Sequence, residues 1–204
     1  SYLAAYKPSL ILIALFCPLT GLPMMLLPVH LVLLEMIQHP LTALAFEGDQ
    51  APGVMDLPPR PASAPLLSQS QVVRSLISGF ILAAGVLFFY ALRLNHSLPY
   101  ARSAGLAVFM VGNLFLVWAS RADDKPWNSS FLFNNSRFWL VAGLTALSFP
   151  IFLEIPALAS LLQAERLAPI DWLWAFLISF ASVGWRVFGF FSRKQTQKEK
   201  AAAS

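Results

Sequence analysis

Charged residues are scarce in this sequence. Of its 204 residues, 10 are Asp or Glu, 14 are Lys or Arg, and 12% in total are charged. A soluble globular domain carries roughly 25% charged residues. Because 57% of the residues are hydrophobic, too little polar surface remains to cover a water-facing exterior. The composition excludes an ordinary soluble domain and predicts an integral membrane protein in contact with a lipid bilayer.

Cysteine is nearly absent, and no export signal is visible. The one cysteine, Cys17, excludes an intrachain disulfide framework and a zinc site built from cysteines. The chain opens with Ser1 and Tyr2, without a basic region or a cleavage motif. It also opens without a methionine, which leaves open that it is a piece of a longer protein. The net charge is +4, but the basic residues flank apolar segments, so we do not expect nucleic acid as a partner.

Six segments are long and apolar enough to cross a bilayer, which takes about 20 residues each. We therefore predict an all-α, polytopic bundle of six transmembrane helices, which together form one transport domain over residues 1–192. The six predicted spans are 2–20, 24–46, 72–94, 103–120, 137–160 and 169–192. Gly21-Leu22-Pro23 is a turn signal between the first two. Residues 47–71 form a Pro-rich connector, and 193–204 form a basic C-terminal tail.

The basic residues predict the orientation of the bundle. With both termini on one side, nine basic residues flank the spans there and three lie on the other side. Because cytoplasmic loops carry the excess of Lys and Arg, we predict that both termini are cytoplasmic. The nine are Arg60, Arg74, Arg121, Lys125, Arg137, Arg193, Lys194, Lys198 and Lys200; the three are Arg93, Arg102 and Arg166.

Ionisable residues within the first two spans form the candidate site. Lys7 lies fourteen residues before Gly21, and Glu35 lies twelve residues after Pro23. At 1.5 Å per residue, these positions are about 21 Å and 18 Å from the same membrane face. Since charges inside a membrane are costly and usually functional, an antiparallel hairpin that pairs Lys7 with Glu35 is a functional candidate. An inert structural pair is the alternative.

Two further side chains and two prolines extend this candidate. Gln38 and His39 follow Glu35 at spacings of three and four residues, so the three share one helix face. Pro8 and Pro40 lack the N–H that a helix needs, and each frees a carbonyl oxygen beside an ionisable residue. Broken helices supply such oxygens to cations at membrane depth. The pattern predicts a small cation site, with His39 equally compatible with a packed histidine.

Several motifs resemble P-type cation-transporting ATPases of the bacterial, calcium-pump-like branch. The first two spans are similar to the fifth and sixth membrane helices of that family, and the resemblance covers nearly the whole chain. The motifs that carry it are Gly21-Leu22-Pro23, Pro28-Val29-His30, Leu34 to Pro40, Met55 to Arg60, Pro65 to Ser68 and Gly112 to Phe115.

The resemblance implies a membrane ion-translocation domain with its cation site on a broken second helix. It implies that Glu35, Gln38 and His39 occupy cation-ligand positions, that Asn113 contributes from the fourth span, and that Lys7 is a counter-charge or gate. Because His39 and Lys7 replace an acid and an amide of calcium pumps, one small cation or a proton is expected as the transported ion. His30, by contrast, is expected to cap or snorkel rather than to bind an ion.

The same resemblance locates the ATP chemistry outside this sequence. The family's Asp-Lys-Thr-Gly motif does not occur in the printed residues, so ATP and Mg²⁺ are expected only in cytoplasmic domains that contact the connector 47–71. A multi-pass location in a bacterial inner membrane follows from the family. Two alternatives stay open: a stand-alone six-helix transporter or accessory membrane protein without ATPase activity, and a purely structural bundle.

Overall fold

The computed structural model describes the backbone of residues 2–47, 69–122 and 136–202, without the side chains of 38–41, 44–47, 137 and 187–202. All regular secondary structure in these residues is helical, which confirms the predicted all-α class. The helices are α1 (Tyr2–Thr20), α2 (Pro28–Glu47), α3 (Gln69–Arg93), α4 (Leu98–Ala122), α5 (Ser136–Glu154), α6 (Pro156–Leu161) and α7 (Pro169–Ala202).

Three of the described helices are long and apolar enough to cross a membrane. They are α1, α3 and the Leu98–Arg121 stretch of α4. Two further helices hold shorter apolar stretches, Pro28–Ile37 in α2 and Phe138–Glu154 in α5. The structure thus supports a membrane-embedded helical domain, while the count of six spans stays a prediction.

The helices pack as two unequal groups within the described part of the chain. In the larger group, α1 packs on α3, and α4 packs on both α3 and α7. The contact of α1 with α3 is very close, because a side chain at Gly79 would meet the backbone oxygen of Ala5 at 2.3 Å. In the smaller group, α2 packs mainly on α5, and α2 scarcely approaches α1 through its backbone.

The α1–α2 turn, the α3–α4 connector and the α6–α7 connector lie at the same end of the bundle. The α1–α2 turn uses Gly21, whose φ of 72° is accessible to glycine at little cost. The Tyr90 hydroxyl at the end of α3 donates to the Pro23 carbonyl at 2.7 Å, and Arg102 Nε of α4 donates to the Met24 carbonyl at 3.0 Å. These bonds fix the turn between α1 and α2 to α3 and α4. The chain reverses at Gly21 as predicted, but the hairpin is open and not tight, because α2 begins at Pro28 and packs mainly on α5.

The same end contains a buried ion pair that joins helices distant in sequence. Arg93 Nη2 lies 2.5 Å from Asp171 Oδ1, and the Tyr100 hydroxyl donates to the other oxygen of Asp171. Ser97 begins α4 as its N-cap, with its Oγ accepting from the Tyr100 N–H at 3.1 Å. The starts of α4 and α7 and the end of α3 are therefore one polar unit.

Several predicted boundaries differ from the observed helices. The second span begins at Pro28 and not at 24, and the fourth begins at Leu98 and not at 103. The predicted span 137–160 is two helices, because the residue before a proline is disfavoured in the α conformation and Ile155, before Pro156, is extended with φ −93° and ψ 109°. The connector is shorter than 47–71, since Glu47 and residues 69–71 are helical, and residues 48–68 lie outside the described part. The basic tail continues α7 as helix to Ala202.

Candidate functional site

Lys7 and Glu35 form the ion pair that their depths predicted. Lys7 Nζ lies 2.5 Å from Glu35 Oε1, and this contact joins α1 to α2 where their backbones lie apart. The two side chains remain 45% and 39% exposed. The pair is therefore accessible from one side in the described part of the molecule, unlike a pair sealed within a core.

Two tyrosines of α1 line the inner side of this ion pair. Tyr6 is fully buried, and its ring stacks on Tyr2 with centroids 5.6 Å apart. Lys7 Nζ lies 5.3 Å from the centroid of the Tyr6 ring, a distance at which an ammonium is attracted to the π face. The Tyr6 ring also contacts Phe109 of α4 at 5.8 Å. One side of the pair is thus fixed by aromatic packing.

The backbone of α2 carries the other predicted ligands on a continuous helix. Residues 38–40 lie within α2, but the side chains of Gln38 and His39 lie outside the described residues, so their predicted roles stay predictions. The predicted helix breaks are not observed, because α1 continues through Pro8 and α2 through residue 40. A proline removes one hydrogen bond, and the bonds of the neighbouring turns hold the helix together.

Asn113 lies in a small cavity formed by three helices. It is 2% exposed and shares the cavity with Thr42 of α2 and Thr145 of α5. Sequence reasoning missed both threonines. A signal for Thr42 was present, since it lies seven residues after Glu35 and two helical turns bring it to the same face.

Polar contacts hold the N-terminus of α2 at the end of the bundle where the α1–α2, α3–α4 and α6–α7 connectors meet, called the connector end below. The His30 ring is fully buried, and its Nδ1 accepts the Leu27 N–H at 3.1 Å. Because Nδ1 accepts, Nε2 carries the hydrogen and donates to the Leu162 carbonyl at 2.6 Å. His30 therefore takes the reciprocal capping position at the third residue of α2, and the predicted capping role is confirmed.

The described residues contain no metal-binding cluster built from His, Cys, Asp or Glu side chains. No group of three or more His, Cys, Asp or Glu side chains comes together there.

Comparisons with known proteins all point to cation-transporting ATPases. A family profile described as "Cation transporting ATPase, C-terminus" matches residues 23–189. The chain is 31% identical over 144 residues to a "Probable cation-transporting ATPase F" of Mycobacterium tuberculosis (strain ATCC 25618 / H37Rv), a match that covers 68% of this chain and 15% of that protein. It is 24% identical over 178 residues to a "Calcium-transporting ATPase" of Bacillus subtilis, covering 84% and 20% respectively. The chain thus spans a fifth or less of these relatives.

Proposed function

This chain belongs to the family of cation-transporting ATPase C-terminal regions, and we propose that it forms the ion-translocating part of a P-type pump. Membrane location and cation transport follow from the family. The chain corresponds to a small part of its relatives, so ATP-driven transport by the complete protein belongs to the proposal. ATP and Mg²⁺ would act in cytoplasmic domains outside this sequence.

The single observation that carries the proposal is the Lys7–Glu35 pair. Charged residues inside membrane helices are costly to insert, so they persist mainly where they function. Both side chains of the pair are more than a third exposed, and in this proposal the ion reaches the carboxylate from that side. Glu35 is the main ligand in this proposal, and Lys7 is the counter-charge that the ion displaces from it.

The remaining ligands follow from the α2 face that Glu35 occupies. Gln38 and His39 would complete the shell from the next turn. Asn113 lies in the cavity beside Thr42, about 10 Å along the axis of α2 from Glu35, so in this proposal it acts next to the shell and not as a direct ligand. Pro8 and Pro40 would each leave one carbonyl oxygen free for the ion without unwinding the helix. With one carboxylate opposed by one ammonium, the site suits a single small cation or a proton.

The topology in this proposal has six membrane crossings with both termini in the cytoplasm. The meeting of the α1–α2, α3–α4 and α6–α7 connectors at one end supports it, because alternating crossings bring every second connector to the same side. The connector 47–71 would then lie at the opposite, cytoplasmic end, where it would contact the phosphorylation domain. The location is a bacterial inner membrane.

The test uses the complete reading frame that encodes this chain, expressed in inverted membrane vesicles. Phosphoenzyme formation from labelled ATP is measured against concentrations of Ca²⁺, Mn²⁺, Na⁺ and K⁺, and against pH. We expect Glu35→Gln to raise the activating concentration of the transported ion about tenfold or more, which corresponds to about 1.4 kcal/mol of lost binding.

Glu154→Gln is the matched control, since it removes the same charge from an exposed pair with Arg166 at the connector end. It should leave ion activation unchanged. Equal activation curves for Glu35→Gln and the wild type, at equal expression, would leave Lys7–Glu35 as a structural pair. A reading frame without an Asp-Lys-Thr-Gly motif would contradict the pump and favour a stand-alone membrane protein.

A further inference from the structure

A small polar cavity lies where α2, α4 and α5 meet. Its volume is about 10 Å³, and its polar lining consists of Thr42, Asn113 and Thr145, one from each helix. Asn113 and Thr145 are 2% and 3% exposed. The rest of the lining is apolar, and it comprises Leu114, Val117, Phe138 and Val141. Three polar groups thus face one small void in otherwise apolar surroundings.

The size and chemistry of this cavity match one water molecule. A buried water needs about 10–15 Å³ of accessible space and two to four polar partners. Each threonine hydroxyl can donate one hydrogen bond and accept two, and the asparagine amide can do both.

The same lining argues against a cation as the occupant. None of the seven lining residues that the structure describes is ionisable, and an unpaired charge in an apolar interior is far more costly than a hydrogen-bonded neutral molecule.

The cavity lies farther along α2 than the Lys7–Glu35 pair. Thr42 lies about 10 Å along the helix axis from Glu35 on the same face, at 1.5 Å per residue. Among described residues, α2 is tied to α1 by the Lys7–Glu35 pair and packs mainly on α5. A hydrogen-bonding molecule at Thr42 would supply its polar attachment to α4.

We propose that this cavity binds one water molecule, which bridges Thr42, Asn113 and Thr145 and is the polar joint between α2, α4 and α5. The proposal does not require that the protein transports ions. Water at such a joint lets hydrogen bonds exchange partners as helices move, whereas interlocking apolar side chains would have to be pulled apart.

The test is radiolytic footprinting in H₂¹⁸O with the complete protein in membranes. A bound water that is ionised by X-rays oxidises its neighbours, so ¹⁸O should enter Phe138 in the wild type. Thr145→Val keeps the shape of the side chain and removes its hydroxyl, and we expect it to reduce ¹⁸O incorporation at Phe138 several-fold. Thr145→Ser retains the hydroxyl and should keep the labelling.

Thr20→Val is the matched control, because the Thr20 hydroxyl bonds only to carbonyls of its own helix at the exposed end of α1. It should leave labelling of Phe138 unchanged. An unlabelled Phe138 in the wild type, or equal labelling in Thr145→Val, would overturn the proposal. If Thr145→Val fails to fold, a density map of the wild type that resolves ordered water decides: a peak hydrogen-bonded to the three side chains supports the site, and a cavity without one refutes it.

Discussion

Replacement of Gly79 by alanine tests the close packing that holds α1, the helix of Lys7, against α3. A Cβ at residue 79 would lie 2.3 Å from the Ala5 carbonyl oxygen and 3.1 Å from its carbon. These atoms are backbone, so no side chain can rotate away to make room. To reach an ordinary contact, the two helices must separate by about 1 Å, a shift that a close-packed interior resists.

We expect Gly79→Ala to reduce stability by about 1–3 kcal/mol, the usual cost of overpacking. The shift of α1 should also change the distance between Lys7 and Glu35 and so alter ion activation. The assay is reversible unfolding in detergent micelles, followed by the ion-activation measurement in vesicles.

Gly143→Ala provides the control, because a Cβ at this helical glycine meets nothing within 4 Å. Alanine is better than glycine in a helix interior by about 0.5–1 kcal/mol, so this variant should be at least as stable as the wild type. The reasoning about α1–α3 packing is refuted if Gly79→Ala unfolds at the same denaturant concentration as Gly143→Ala.

Two further predictions concern the connector end, and the same unfolding assay checks both. Asp171→Asn should lower the free energy of unfolding by about 3 kcal/mol. This is at the low end for a broken buried pair, because Arg93 keeps some access to water. Glu154→Gln removes one partner of an exposed pair and should lower the free energy of unfolding by less than about 1 kcal/mol. A loss no greater than that of Glu154→Gln would refute the buried-pair argument. Tyr90→Phe removes the hydrogen bond to the Pro23 carbonyl and should lower the free energy of unfolding by about 1 kcal/mol. An unchanged unfolding midpoint would mean that this bond does not fix the hairpin.

From the sequence, only the depth of each site residue along its helix could be predicted. Counting from the Gly21 turn placed Lys7 and Glu35 at one depth, and the observed pair confirms that estimate. The backbone stays helical at Pro8 and at residue 40, since a proline removes one hydrogen bond and the neighbouring turns keep theirs. Thr145 could not have been assigned, since nothing local marks a threonine on α5 as a neighbour of α2.

The sequence by itself determined the membrane environment, the helical class and the hairpin, because hydropathy, span length and turn residues act within one segment. The tertiary structure decided which helices are neighbours. The contact of Arg93 with Asp171 joins residues 78 positions apart, and the cavity at Asn113 draws on three helices. Apolar faces look alike to lipid and to other helices, so close packing and hydrogen bonds select the partners in a membrane. Both depend on three-dimensional fit, which periodicity along the chain does not contain.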